Sequence, residues 1–176
     1  IFKLTTYIMK RLFFLLALLP LAAAAQDCGV KKEVDQFTQL PRFTTGFMPI
    51  GQGLNRFLLS VDATKTEVDF FFALNSGSEG KCFNDASQAI VSYEGTKLKA
   101  TFKNTGSMNC EGNLHFTFRN TTVTPSALNR MATMKVDSFK WVDSNKKEWV
   151  YELTEEEQTT LMERIACLVK EAKTLL

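Results

Sequence analysis

Residues 87–104 read SQAIVSYEGTKLKATFKN. On the second half of this stretch Leu98, Ala100 and Phe102 alternate with Lys97, Lys99, Thr101 and Lys103, the period of a strand that buries one face. Glu94, Gly95 and Thr96 supply the turn, so the stretch is a β-hairpin. A hairpin also fixes a register. With its turn centred near residue 95 or 96, opposed residues have numbers that sum to about 191, and Cys82 with Cys110 gives 192. Extending the two arms therefore predicts a disulfide between Cys82 and Cys110 at the open end.

The chain holds four cysteines, Cys28, Cys82, Cys110 and Cys167. In an oxidising compartment an even number reads as two bridges with three possible connectivities. The hairpin selects the first pair, and elimination joins Cys28 to Cys167. A metal centre is not expected, because closely spaced Cys or His pairs are missing and His115 is the single histidine. The spacing of a redox pair is missing too, and no cofactor is expected.

The same period extends in both directions, from about residue 42 to residue 153. Phe57, Leu59 and Val61 share a face, as do Leu114, Phe116 and Phe118. Val68, Phe70, Phe72 and Leu74 form another stripe, while Phe71 and Ala73 make the opposite face of that strand apolar as well. Met134 and Val136 lead to Phe139 and Trp141 with a change of parity, which predicts a bulge near Asp137 and Ser138. DSNKK at 143–147 is a turn, and Trp149, Tyr151 and Leu153 give the last strand a face. About eight strands are expected, in a mainly β fold: an antiparallel β-sandwich or a barrel-like sheet.

Two helices complete this reading. TPSALNRM, from Thr124 to Met131, predicts a short helix with a threonine cap and proline at the first helical position. A stronger helix spans 154–176. Thr154 and Glu157 form a capping box, and acids fill the first turn where the helix dipole favours them. Leu161, Ile165, Leu168, Ala172 and Leu175 make an amphipathic stripe. Phe71 and Ala73 are one candidate for the surface it covers.

The first residues carry a different message. Lys10 and Arg11, an apolar stretch from Leu12 to Leu21 and the small residues that follow have the plan of a secretory signal. The stretch is well short of the roughly 20 apolar residues that a spanning helix requires. Residues 1–8 are read as an upstream segment, 9–25 as the signal, and 26–176 as one β-rich domain. Cleavage after Ala25 removes Lys3, Lys10 and Arg11, taking 21 basic residues to 18 against 19 acidic. The mature chain is then near neutral, with no polybasic face for nucleic acid and no membrane span. Asp27, next to the cleaved bond, argues against Cys28 as a lipid anchor.

EVDQFT at 33–38, GKCF at 80–83, YEGTKLKATF at 93–102, the pair Asn109 and Cys110, and TPSALNRMATMKVDSFKW at 124–141 together resemble a group of small exported bacterial proteins of unassigned function. The resemblance implies a β-rich fold with a final helix and transfers no catalytic residue.

Catalysis through a serine or cysteine would have to use His115, which lies mid-strand beside Thr117 and Arg119. An ordinary hydrogen-bonded histidine is the expectation there. No nucleophile elbow occurs, and GQG at 51–53 is not a phosphate loop. Carboxylate pairs for glycoside hydrolysis would come from Glu33 with Asp35, or Glu67 with Asp69. The remaining candidate is aromatic. Trp141, Trp149 and Tyr151 on an exposed sheet would bind sugar rings or a partner protein, with Arg119, Lys140 and Lys147 around them; buried, they would be core. The expected function is a non-enzymatic binding or structural interaction domain of the bacterial cell envelope, periplasmic, outer-envelope or secreted. Its partner is an unidentified protein or glycan. A small carrier with an apolar pocket lined by Phe70, Phe72 and Leu161, and a hydrolase with paired carboxylates, are the alternatives.

Overall fold

The computed structural model describes residues 28–52, 56–74 and 80–176. The expected upstream segment and signal lie outside the described residues. Ten strands are found among the described residues, in two antiparallel sheets. The larger contains β1 (Lys31–Val34), β2 (Pro41–Thr44), β3 (Met48–Ile50), β4 (Phe57–Ala63), β5 (Glu67–Leu74) and β8 (Asn113–Arg119). Its order is β1-β2-β4-β5-β8, and β3 pairs with β4. The smaller sheet, in the order β10-β9-β6-β7, contains β6 (Gln88–Tyr93), β7 (Lys99–Lys103), β9 (Val136–Val142) and β10 (Glu148–Glu152). The sheets stay separate, so the architecture is a sandwich and not a closed barrel.

Alternation explains which side chains go inside. Phe57, Leu59, Val61 and Ala63 of β4 lie opposite Leu74, Phe72, Phe70 and Val68 of β5, and all eight are buried. The smaller sheet answers with Ala89, Val91, Phe139 and Trp141. Phe57 is the central knob: its ring lies 4.9 Å from that of Trp141, 5.4 Å from Tyr151 and 5.8 Å from Phe139. Removing each such ring from water contributes about 1.5–3 kcal/mol, and edge-to-face contact adds to that.

The hairpin of β6 and β7 has the expected register, with Gln88 opposite Lys103 and Ser92 opposite Lys99. Gly95 takes a positive φ of 66° in its turn, a conformation that a side chain disfavours. Leu98, expected on the strand's apolar face, precedes β7 and is exposed. The turn ends before the strand begins, so alternation alone overextends it. Beyond the open end, Phe83 and Asn109 exchange backbone hydrogen bonds of 2.8 and 3.0 Å. Next to them Cys82 is joined to Cys110, and Cys28 is joined to Cys167. Two bridges point to an oxidising compartment.

The bulge is where parity changes: Ser92 faces Ser138 and Tyr93 faces Val136, which leaves Asp137 unopposed. Its carbonyl accepts the N–H of Leu153 at 2.9 Å.

The short helix, α1, is Ser126–Thr133, two residues later than expected. Pro125 occupies the cap position with ψ of 139°, and no side chain caps the helix. Proline therefore precedes the first turn instead of opening it, and Thr124 falls too early to cap. The long helix, α2, is Glu155–Ala172, and its capping box is formed in both directions. Leu161, Ile165, Leu168 and Ala172 are buried in the same core as the inner sheet faces. The helix packs on α1, β2, β4 and β9. It does not cover Phe71 and Ala73: those residues share the outer face of the larger sheet, and α2 joins the inner one.

Candidate functional site on the outer face of the larger sheet

The aromatic surface expected at Trp141, Trp149 and Tyr151 is not formed. Trp141 and Trp149 do face each other across β9 and β10, but Trp141 is 0 % exposed and Tyr151 7 %. Their inward parity places them against Phe57. Only Trp149 is half-buried, with the ammonium groups of Lys81 and Lys147 at 5.5 and 5.3 Å from its ring. Lys140 pairs with Glu148 at 3.0 Å. The wall needed for a carrier is filled as well. Phe70 and Phe72 are fully buried, with the Phe116 ring 5.1 and 5.6 Å away, and Leu161 is in the core.

The polar chemistry gathers elsewhere. If Phe57, Leu59, Val61 and Ala63 face inward, then Ser60 and Asp62 must face outward, as must Asp69 and Phe71 on β5. Registration places Asp62 directly opposite Asp69 and Ser60 opposite Phe71. These four, with Glu33, Arg42, Thr44, Gly46 and Phe47, line an open groove of about 420 Å³. Phe47 is 60 % exposed and meets Phe71 edge-on, with centroids 6.1 Å apart. It is an apolar platform at the side of a polar groove.

The charges are only partly matched. Arg42 reaches Glu33 at 3.2 Å and Asp35 at 3.5 Å, so the first of the expected carboxylate pairs is committed to an ion-pair cluster. Asp35 also accepts from the N–H of Phe37 and from both donors of Thr38. The Thr38 N–H foremost holds its pKa below the ordinary 3.8. Asp62 receives the hydroxyl of Ser60 at 3.3 Å on Oδ2, while its Oδ1 and the Nε of Arg42 are buried with no hydrogen-bond partner among the described residues. Two like charges directly opposite on neighbouring strands repel, and one of the two, Asp62, carries the oxygen without a partner.

Asp69 has its own partner. Its Oδ1 lies 3.1 Å from Nδ1 of His115 on β8. The hydrogen bond to Asp69 raises the His115 pKa above 6.5, against the opposing effect of burial. The loop before β8 holds the ring from the other side. Asn104 accepts the N–H groups of Gly106 and His115 at 3.2 and 3.0 Å. A Cβ on Gly106 would lie 2.5 Å from Cδ2 and Nε2 of the imidazole, so glycine is what lets the ring fit. His115 is thus a hydrogen-bonded strand histidine.

Of the expected carboxylate pairs, Glu67 and Asp69 share the outer face of β5, but the residue across from Asp69 is Asp62, which the sequence analysis did not select. A hairpin register would have found it: the ATKTEV turn pairs Ala63 with Val68, and Asp62 with Asp69 one step further. Among the described residues no group of three or more His, Cys, Asp or Glu is placed to hold a metal ion, and no helix is long and apolar enough to cross a membrane. In comparisons with known proteins no family model, no curated protein and no solved structure matches this chain.

Proposed function

We propose that this chain is a non-enzymatic binding domain exported to the bacterial cell envelope, and that it holds a saccharide in the groove on the outer face of the larger sheet. The observation that carries the reading is the exposed Phe47 ring beside Asp62, Asp69, Ser60 and Thr44. A sugar presents an apolar C–H face and a rim of hydroxyls. Phe47 suits the first, and the half-buried carboxylates of Asp62 and Asp69 suit the second. Two disulfides accord with an exported protein.

The paired Asp62 and Asp69 favour a second reading, a glycoside hydrolase with two carboxylates in one groove. One experiment separates the two. Saturation-transfer NMR against neutral, acidic and amino saccharides reports binding, and chromatography of the same mixtures reports cleavage. Binding that is lost in Phe47→Ala, without products, supports the binding domain. Products that vanish in Asp62→Asn establish the hydrolase, and no saturation transfer to any saccharide removes both.

A further inference from the structure

The smaller sheet ends in two unpaired strands, β7 and β10, and their charges are opposite. No strand among the described residues lies beyond either. Both are five residues long, Lys99–Lys103 and Glu148–Glu152. The four strands are paired without a shift over five complete rows. One outward row runs Lys103, Gln88, Val142, Glu148, the next outward row Thr101, Ile90, Lys140, Val150, and the last Lys99, Ser92, Ser138, Glu152. Each outer row therefore begins in lysine and ends in glutamate, and the middle row begins in threonine and ends in a valine that is 58 % exposed.

We infer that β7 of one copy of this chain pairs with β10 of a second copy, extending the smaller sheet from molecule to molecule. Direction is satisfied: consecutive strands of the sheet are antiparallel, so the first and fourth run oppositely. A second copy displaced along the row direction then presents its β7 antiparallel to β10 of the first. Continuing the rows sets Lys103 beside Glu148, Lys99 beside Glu152 and Thr101 beside Val150. On the inner face the same displacement sets Phe102 beside Trp149, both only half-buried in one copy.

Other pairings of these edges are unfavourable. Two β7 strands would oppose Lys99 to Lys103, and two β10 strands Glu148 to Glu152, like charges directly across a ladder. Edge lysines commonly keep strands from joining at random. Here they reject self-pairing while admitting the acidic edge of another copy. Such an interface is head-to-tail and heterologous, so it propagates as an open array and does not close as a two-fold dimer.

Sedimentation velocity on the disulfide-bonded protein, at low salt and up to about 1 mM, tests this. Wild type should form concentration-dependent oligomers that dissociate in high salt. K99E/K103E and E148K/E152K should each be monomeric, and an equimolar mixture should assemble again, because every edge then meets its complement. Circular dichroism of each variant checks that it is folded. A wild type that stays monomeric at low salt, oligomers that survive both charge reversals, or folded variants that fail to reassemble on mixing would overturn the inference.

Discussion

His115 Nδ1 lies 3.1 Å from Asp69 Oδ1, reached diagonally across β5 and β8, since the residue directly opposite Asp69 is Thr117. The raised His115 pKa makes this contact a source of pH-dependent stability. A group whose folded pKa exceeds its unfolded value stabilises fully below the unfolded value, near 6.5. The contribution is lost as pH rises through the folded value. Chemical denaturation at a series of pH values should show that loss for wild type and a smaller one for Asp69→Asn. Equal slopes in the two proteins would contradict it.

Gly106 gives an independent handle on the same ring. Gly106→Ala puts a methyl group where Cδ2 and Nε2 of His115 now lie, so the ring must turn or the loop must move. The cost is about 1–3 kcal/mol, the range for overpacking. His115 should also titrate closer to the ordinary value once it loses Asp69, as NMR of its ring protons will show. A variant with wild-type stability and titration would mean that the loop yields freely.

Two phenylalanines separate stability from binding. Phe57 is 1 % exposed and touches Phe72, Phe139, Trp141 and Tyr151, so Phe57→Ala should cost about 3–5 kcal/mol. Phe47 is largely in water, and its removal should change stability by less than about 1 kcal/mol while abolishing saccharide binding. Urea unfolding of both variants checks the contrast.

Much of this contrast is legible in sequence, and the part that is not has a physical cause. Period two finds β4, β5, β8, β9 and β10 because one face of each is buried, and parity locates the bulge at Asp137. The first two strands carry no such signal. Lys31–Val34 is exposed on every residue, and Pro41–Thr44 has both Phe43 and Thr44 buried, so neither alternates. Trp141 and Tyr151 share one face of the hairpin, but strand period does not say which face meets a second sheet. Asp62 was hidden for the converse reason: a single outward acid looks like solvated surface until its opposite number is known.

The two bridges should differ in effect. The loop closed by Cys82 and Cys110 spans 28 residues and that closed by Cys28 and Cys167 spans 139. The chain-entropy account gives about 4 and about 5 kcal/mol respectively. Replacing both members of a pair with alanine and following thermal unfolding should therefore lower the midpoint more for Cys28 and Cys167. A non-reduced digest that links Cys28 to Cys82 would contradict both pairings.

Glu157 joins the long helix to the turn after β3. Its Oε1 accepts the Gly51 N–H at 2.7 Å, and its Oε2 accepts the Thr154 N–H and hydroxyl at 2.9 Å each. Burial pushes its pKa up, but these hydrogen bonds outweigh it and hold the carboxyl below the ordinary 4.5. A depressed carboxylate stabilises above its unfolded pKa, and that contribution is lost as pH falls through the folded value. Glu157→Gln should therefore flatten the acid limb of the stability profile. Thr154→Ala removes only the cap hydroxyl, at a cost of about 1 kcal/mol, and leaves Glu157 bonded to the backbone N–H groups of Gly51 and residue 154. Its acid limb should stay closer to wild type, so urea midpoints between pH 3 and 7 assign the sensitivity to the two backbone N–H contacts or to the cap hydroxyl.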